Sequence, residues 1–109
     1  MTAYAVAHMR RVTMGPPIVE YLERIDETLA PFGGRFIVHG GDFESLEGSW
    51  PGNLIVIEFP DRARADAWYR SAGYQEIVTL RTDNSRSDVI IAEGAGRDHR
   101  ATDVLSARA

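Results

Sequence analysis

Residues 54–59 read LIVIEF, and a strand built from them leaves neither face to water, because only Glu58 is polar. Their length and β-branched content favour a strand over a helix, and apolar side chains at both parities describe a strand covered on both sides. The segment AYAVAHMRR at 3–11 behaves alike, with Tyr4, Val6 and His8 alternating with Ala5, Ala7 and Met9 without a clear polar side. In DVIIAEG at 88–94, Val89 and Ile91 alternate with Ile90. A chain of 109 residues holds one hydrophobic core and not two. One domain must therefore supply cover for a sheet that is apolar on both faces.

The helices come from the intervening segments. From 16 to 32, Ile18, Tyr21, Leu22, Ile25, Leu29 and Phe32 recur at three- and four-residue steps, with Glu20, Glu23, Arg24, Asp26 and Glu27 opposite. That spacing predicts an amphipathic helix, entered through Gly15, Pro16 and Pro17 and ended by Gly33 and Gly34. RFIVHG at 35–40 predicts a second strand, followed by the loop DFESLEGSWPGN. Pro60 marks a turn, and Asp61 is an N-cap for a helix over 62–71. Gly73 is expected to interrupt before a helical stretch at 74–81, whose inner face is Tyr74, Ile77 and Val78. A turn at 82–87 leads to the last strand at 88–94. Residues 95–109 show no strong period and are expected to be a mobile or loosely helical tail outside the 1–94 domain.

The order β-α-β-β-α-β is the split arrangement of a ferredoxin-like α+β domain with a four-stranded antiparallel sheet. Right-handed crossovers put both helices on one side of the sheet. The other side would expose a large apolar patch, which soluble proteins keep for interfaces. A homodimer with two sheets packed face to face is the expected cover.

Composition narrows the chemistry. There is no cysteine, which removes disulfides, thiolate nucleophiles, iron–sulfur ligation and cysteine-type zinc sites. All twelve basic residues are arginine, so a lysine Schiff base or an internal pyridoxal aldimine is excluded. A net charge of −4, with the arginines spread among sixteen acids, argues against a nucleic-acid partner. No apolar run reaches the roughly 18 residues that span a bilayer. The N-terminal MTAYAVAHMRR lacks the basic-then-apolar order of a signal peptide, so a cytoplasmic address and no membrane contact are expected.

Four strings carry a family resemblance: FGGRFIVHGG at 32–41, LEGSWPGNLIVIEFPD at 46–61, AWYRSAGYQEIVTLR at 67–81 and IIAEG at 90–94. Together they resemble the small bacterial proteins grouped as domain of unknown function 1330, over nearly all of residues 3–94. The resemblance implies a dimeric α+β barrel, in which two ferredoxin-like sheets enclose a shared barrel with the helices outside. Proteins of that broader fold include cofactor-free quinone-forming monooxygenases, haem-degrading monooxygenases and muconolactone isomerases. The family has no settled activity, and a fold alone does not assign a reaction.

Candidate site residues follow from residue chemistry. His8 and His39 are suited to general-base work, with a hydrogen-bonded structural histidine in the strand as the other reading of His39. They lie on strands that a third should separate, and no HxxxH or HxE spacing joins them, so no metal site is expected. Glu58 interrupts an apolar strand, which makes it either a paired carboxylate or a general acid or base. Arg35, after the double glycine, either clamps a substrate carboxylate or pairs with Glu58 on the neighbouring strand. Trp68, Tyr69 and Tyr74 either line a pocket for a planar ligand or fill the core. Arg81 either faces the same pocket or interacts with the end of its helix. Trp50, beside Pro51 and Gly52, closes over a ligand or over the dimer seam. No GxGxxG, GxxxxGK or GxSxG pattern is present, which leaves the paired glycines as turn residues and hydrolase chemistry without support.

Two functions are compatible with these residues. One is a cofactor-independent isomerase or monooxygenase for a small planar anionic compound. Glu58 or a histidine would be its base, and Arg35 or Arg81 would hold the oxyanion. The other is a non-catalytic dimer that binds a small molecule or a protein. The expected location is the cleft between the sheet and the helix carrying Trp68 and Tyr69.

Overall fold

The computed structural model describes residues 1–107. Its elements run β1 (Ala3–Val12), α1 (Pro16–Leu29), a 3-10 turn (Ala30–Phe32), β2 (Arg35–His39), β3 (Asn53–Phe59), α2 (Arg62–Arg70), α3 (Ala72–Thr82), β4 (Ser85–Glu93) and α4 (Asp103–Ala107). The four strands form one antiparallel sheet in the order β2-β3-β1-β4. The fold is the expected ferredoxin-like α+β arrangement.

Strand parity divides the sheet into two surfaces. Ala3, Ala5, Ile57 and Phe59 face the helices and are buried. They pack with Tyr21, Ile25 and Leu29 of α1, Ala65 and Trp68 of α2, and Tyr74, Ile77 and Val78 of α3. Opposite parity places Val6 between Val56 on one side and Ile90 on the other, with Val38 beyond Val56. This apolar row crosses all four strands on the face that carries no helix. Ile90 is 60% exposed there.

Several boundaries differ from the sequence expectation. The break between α2 and α3 falls at Ser71, not Gly73. Ser71 is extended (φ −65°, ψ 150°), its hydroxyl donates to the Trp68 carbonyl at 2.7 Å, and it caps α3 by accepting from the Tyr74 amide. Gly73 lies within the first turn of α3. The expected turn over 82–87 is shorter, because Ser85, Arg86 and Ser87 already pair with Val12, Arg11 and Met9. The amphipathic helix stops at Leu29, and its last turn tightens into 3-10 geometry before Gly33 turns left-handed at φ 70°. Of the tail, residues 95–107 contain turns and the short α4, and residues 108–109 lie outside the described residues. Among the described residues no helix is long and apolar enough to cross a membrane.

Candidate functional site

A cavity of about 520 Å³ opens between the sheet and α1. Its origin is local. The strand at the centre of the sheet presents Ala5 and Ala7 to the helix layer, and two methyl groups leave space that larger side chains would fill. Ile55 and Ile57 of β3, Phe36 of β2, Val89 of β4 and Ile18 and Ile25 of α1 complete its apolar walls. Ligand sites commonly combine such walls with a few polar groups.

Those polar groups are of one electrostatic kind. Arg10, Arg11, Arg81 and His39 line the cavity, and among the described residues no aspartate or glutamate does, in a chain with sixteen acids. Arg10 is committed elsewhere, its Nε donating to Asp88 at 2.7 Å. Arg81 is 6% exposed and donates to Ser87 Oγ at 2.7 Å. No carboxylate lies within ion-pair distance of it among the described residues. Burial works against its charge, and the oxygens of Tyr74 and Tyr21 outweigh that, so the guanidinium keeps its proton above the ordinary arginine value. A buried cation without an acidic partner is costly. An anion entering the cavity would compensate it.

The aromatic residues form a wall with two roles. Trp68 is 2% exposed, tilted against Tyr74 at 4.2 Å and Phe59 at 5.4 Å, and its Nε1 donates to Thr28 Oγ1 at 2.9 Å. Trp68 and Tyr74 belong to the core and also line the cavity. Tyr69 packs behind them and does not reach it. Tyr21, read from the sequence as one of a buried stripe, also lines the cavity, and its hydroxyl lies 2.7 Å from that of Tyr74. A buried phenol needs a polar partner, and that requirement was the available sequence signal. Burial first, and Tyr74 next, push the Tyr21 phenol well above the ordinary tyrosine value, so it stays protonated.

The remaining candidates separate by parity. His39 lines the cavity, stacked on Phe36 with centroids 4.1 Å apart. A bulge between Phe36 and Val38 permits this, since it returns His39 to the helix side of the sheet opposite Ile55. Glu58 and Arg35 pair across β3 and β2 on the other face, with Arg35 Nη2 and Glu58 Oε1 3.0 Å apart. His8 is on that face too, its ring stacked on Trp50 at 4.1 Å and its Nε2 donating to the Pro51 carbonyl at 2.8 Å. Glu58, Arg35, His8 and Trp50 are therefore outside the cleft. The cleft extends along α1 and also reaches the helix bearing Trp68, with Trp68, Tyr74 and Arg81 in its lining and Tyr69 outside it.

A four-stranded antiparallel sheet with its helices on one side and a cleft beneath the first of them defines a ferredoxin-like α+β domain. The chain belongs to the family described as Domain of unknown function (DUF1330), which matches residues 2–95. Among solved structures it is similar to a protein of unknown function from Rhodopseudomonas palustris, with TM-score 0.64 and 19% identity over 87% of this chain and 83% of that one. It is also similar to SnoaB, a cofactor-independent oxygenase from Streptomyces nogalater, with TM-score 0.57 and 13% identity over 91% and 98%. A dimeric ferredoxin-like protein of unknown function from Jannaschia gives TM-score 0.57 and 12% identity over 86% and 100%. The TM-scores establish a shared fold, and at these identities the likeness is one of fold alone. No curated protein matches the chain.

Proposed function

We propose that the protein is a homodimeric α+β barrel in which each cleft binds a small planar anion and removes a proton from it, the opening step of a cofactor-independent isomerase or, with dioxygen as co-substrate, of a cofactor-independent monooxygenase. The observation that carries the reading is the cavity of about 520 Å³ with a buried, carboxylate-free Arg81 in its lining. In this reading His39 removes a proton from the bound compound, and Arg81 holds the oxyanion that develops. The apolar walls keep water from the anion. Glu58 and His8, on the opposite face, take no part. The likeness to an oxygenase that works without a cofactor is consistent with this chemistry.

One observation favours the non-catalytic alternative: the lining offers a single imidazole and no carboxylate as a base. The test separates the two. Small molecules released from the purified protein are identified by mass spectrometry and, with a panel of aromatic acids, assayed by thermal shift. Binding compounds raise the melting temperature, and Ala7→Leu, which fills the cavity, removes the rise. A panel without any shift overturns the cleft as a ligand site. If a compound found this way is turned over, His39→Gln abolishes turnover while keeping the shift. Binding without turnover supports the alternative.

A further inference from the structure

The polar groups where α1 and α3 meet the cleft bring more donors than acceptors, and no carboxylate among the described residues pairs with them. Tyr21 and Tyr74 are 8% and 2% exposed, and their hydroxyls share one hydrogen bond of 2.7 Å. Two phenols bring two protons, and their mutual bond uses one. Neither oxygen has another hydrogen-bond partner able to accept the second among the described residues. Beside them lies Arg81, its guanidinium carbon 6.0 Å from the centre of the Tyr21 ring. Of its five N–H groups, one donates to Ser87, and the phenol oxygens of Tyr74 and Tyr21 also stabilise its charge, which leaves part of the fork for a ligand. Arg81 and both phenols belong to the lining of the cavity, whose other walls are mostly apolar, with His39, Arg10, Arg11 and Asn53 as the remaining polar or charged side chains.

We infer that Arg81 and the Tyr21–Tyr74 hydroxyl pair form a carboxylate-binding site, and that the cleft's ligand is an aromatic or conjugated monocarboxylate. The inference rests on the cleft reading above and narrows it. A carboxylate offers two oxygens and about four acceptor positions, enough for both the fork and the phenol. A neutral carbonyl would leave the guanidinium uncompensated. A phosphate dianion would be stripped of water against walls that are mostly apolar. Because the Tyr21 phenol stays protonated, the donor persists across the physiological pH range. Tyr21 and Tyr74 are then specificity-determining residues, which prefer the acid over its amide.

The test compares 2-naphthoate with the isosteric 2-naphthamide by calorimetric titration of the full chain. In the wild type the acid binds about tenfold or more tighter, the scale of a hydrogen bond to a charged group. Arg81→Gln brings the two affinities together. Tyr21→Phe/Tyr74→Phe, a change that keeps the rings and their packing, lowers the ratio several-fold, because the acid loses a charge-assisted hydrogen bond and the amide at most a neutral one. Equal wild-type affinities overturn the carboxylate site and leave the cleft reading standing. So does a preference that survives the double phenylalanine variant, since the hydroxyl pair then makes no contribution. If neither compound binds and neither raises the melting temperature, the cleft reading fails and takes this inference with it.

Discussion

Glu58 and Ile57 are neighbours in sequence, and one step of strand parity puts them in different chemistries. Ile57 is buried and lines the cleft, while Glu58 pairs with Arg35 on the outer face. The outer face carries a second pair whose consequence can be measured, Arg10 and Asp88 at 2.7 Å. The hydrogen bond from Arg10, and next its charge, hold the Asp88 carboxyl below the ordinary carboxylate range. A folded value lowered relative to the unfolded one stabilises above the unfolded value, and that contribution is lost as pH falls through the folded value. Arg10→Gln should move the Asp88 midpoint upward in a carboxyl NMR titration, and an unmoved midpoint would show that Arg10 is not the cause. Both side chains are exposed, so the melting temperature at neutral pH should change little.

At the scale of elements, the approach of β3 to β1 depends on Gly52. Its φ is 85°, and a Cβ there would overlap the Met9 carbonyl oxygen and crowd Arg10. Gly52→Ala should cost at least about 1–2 kcal/mol through strain at a positive φ and displaced backbone. A lower urea midpoint with an unchanged slope checks this, and an unchanged midpoint would mean that the strand end simply shifts. The α1 stripe and the apolar run of β3 were legible because burial on one or both faces imposes a period that single residues cannot hide. Ser71 was not legible as the break, since its capping role depends on the Trp68 carbonyl arriving beside it, whereas Gly73 is the stronger punctuator in sequence. Ser85 and Ser87 read as a turn because their strand character comes from the pairing partners in β1. Of the candidate site, Arg81, Trp68, Tyr74 and His39 were found by residue type. A shared pocket between sheet and helix was an open reading for Trp68, Tyr74 and Arg81, but its extension beneath α1 to His39 was not legible, because the space arises from Ala5 and Ala7, which in sequence are indistinguishable from ordinary packing. The bulge that turns His39 inward is likewise visible only once β2 is paired.

For the whole molecule, the sheet is a partition. Its helix side holds the cleft, and its other side carries the row Val38, Val56, Val6 and Ile90 between a rim of Arg35, Glu58 and Tyr4 and a rim of Leu54, His8 and Asp88. An apolar centre with a polar margin is the anatomy of a protein interface. Two such faces related by a twofold axis bring the same row against itself, an isologous contact that closes at the dimer. Ile90, 60% exposed in the single chain, is therefore expected to be covered in solution, and sedimentation should give twice the 12.1 kDa chain mass at micromolar concentration. Ile90→Arg puts a charge against its symmetry mate in the dimer and into water in the single chain. The variant should sediment as a folded monomer with native circular dichroism. Because the cleft opens on the other side of the partition, that monomer should still bind 2-naphthoate. A wild type that sediments at the single-chain mass would remove the dimer. A monomeric variant that is folded but has lost 2-naphthoate binding would show that closing the barrel also shapes the cleft, a coupling that must then run through the shared β1 and β3 backbones.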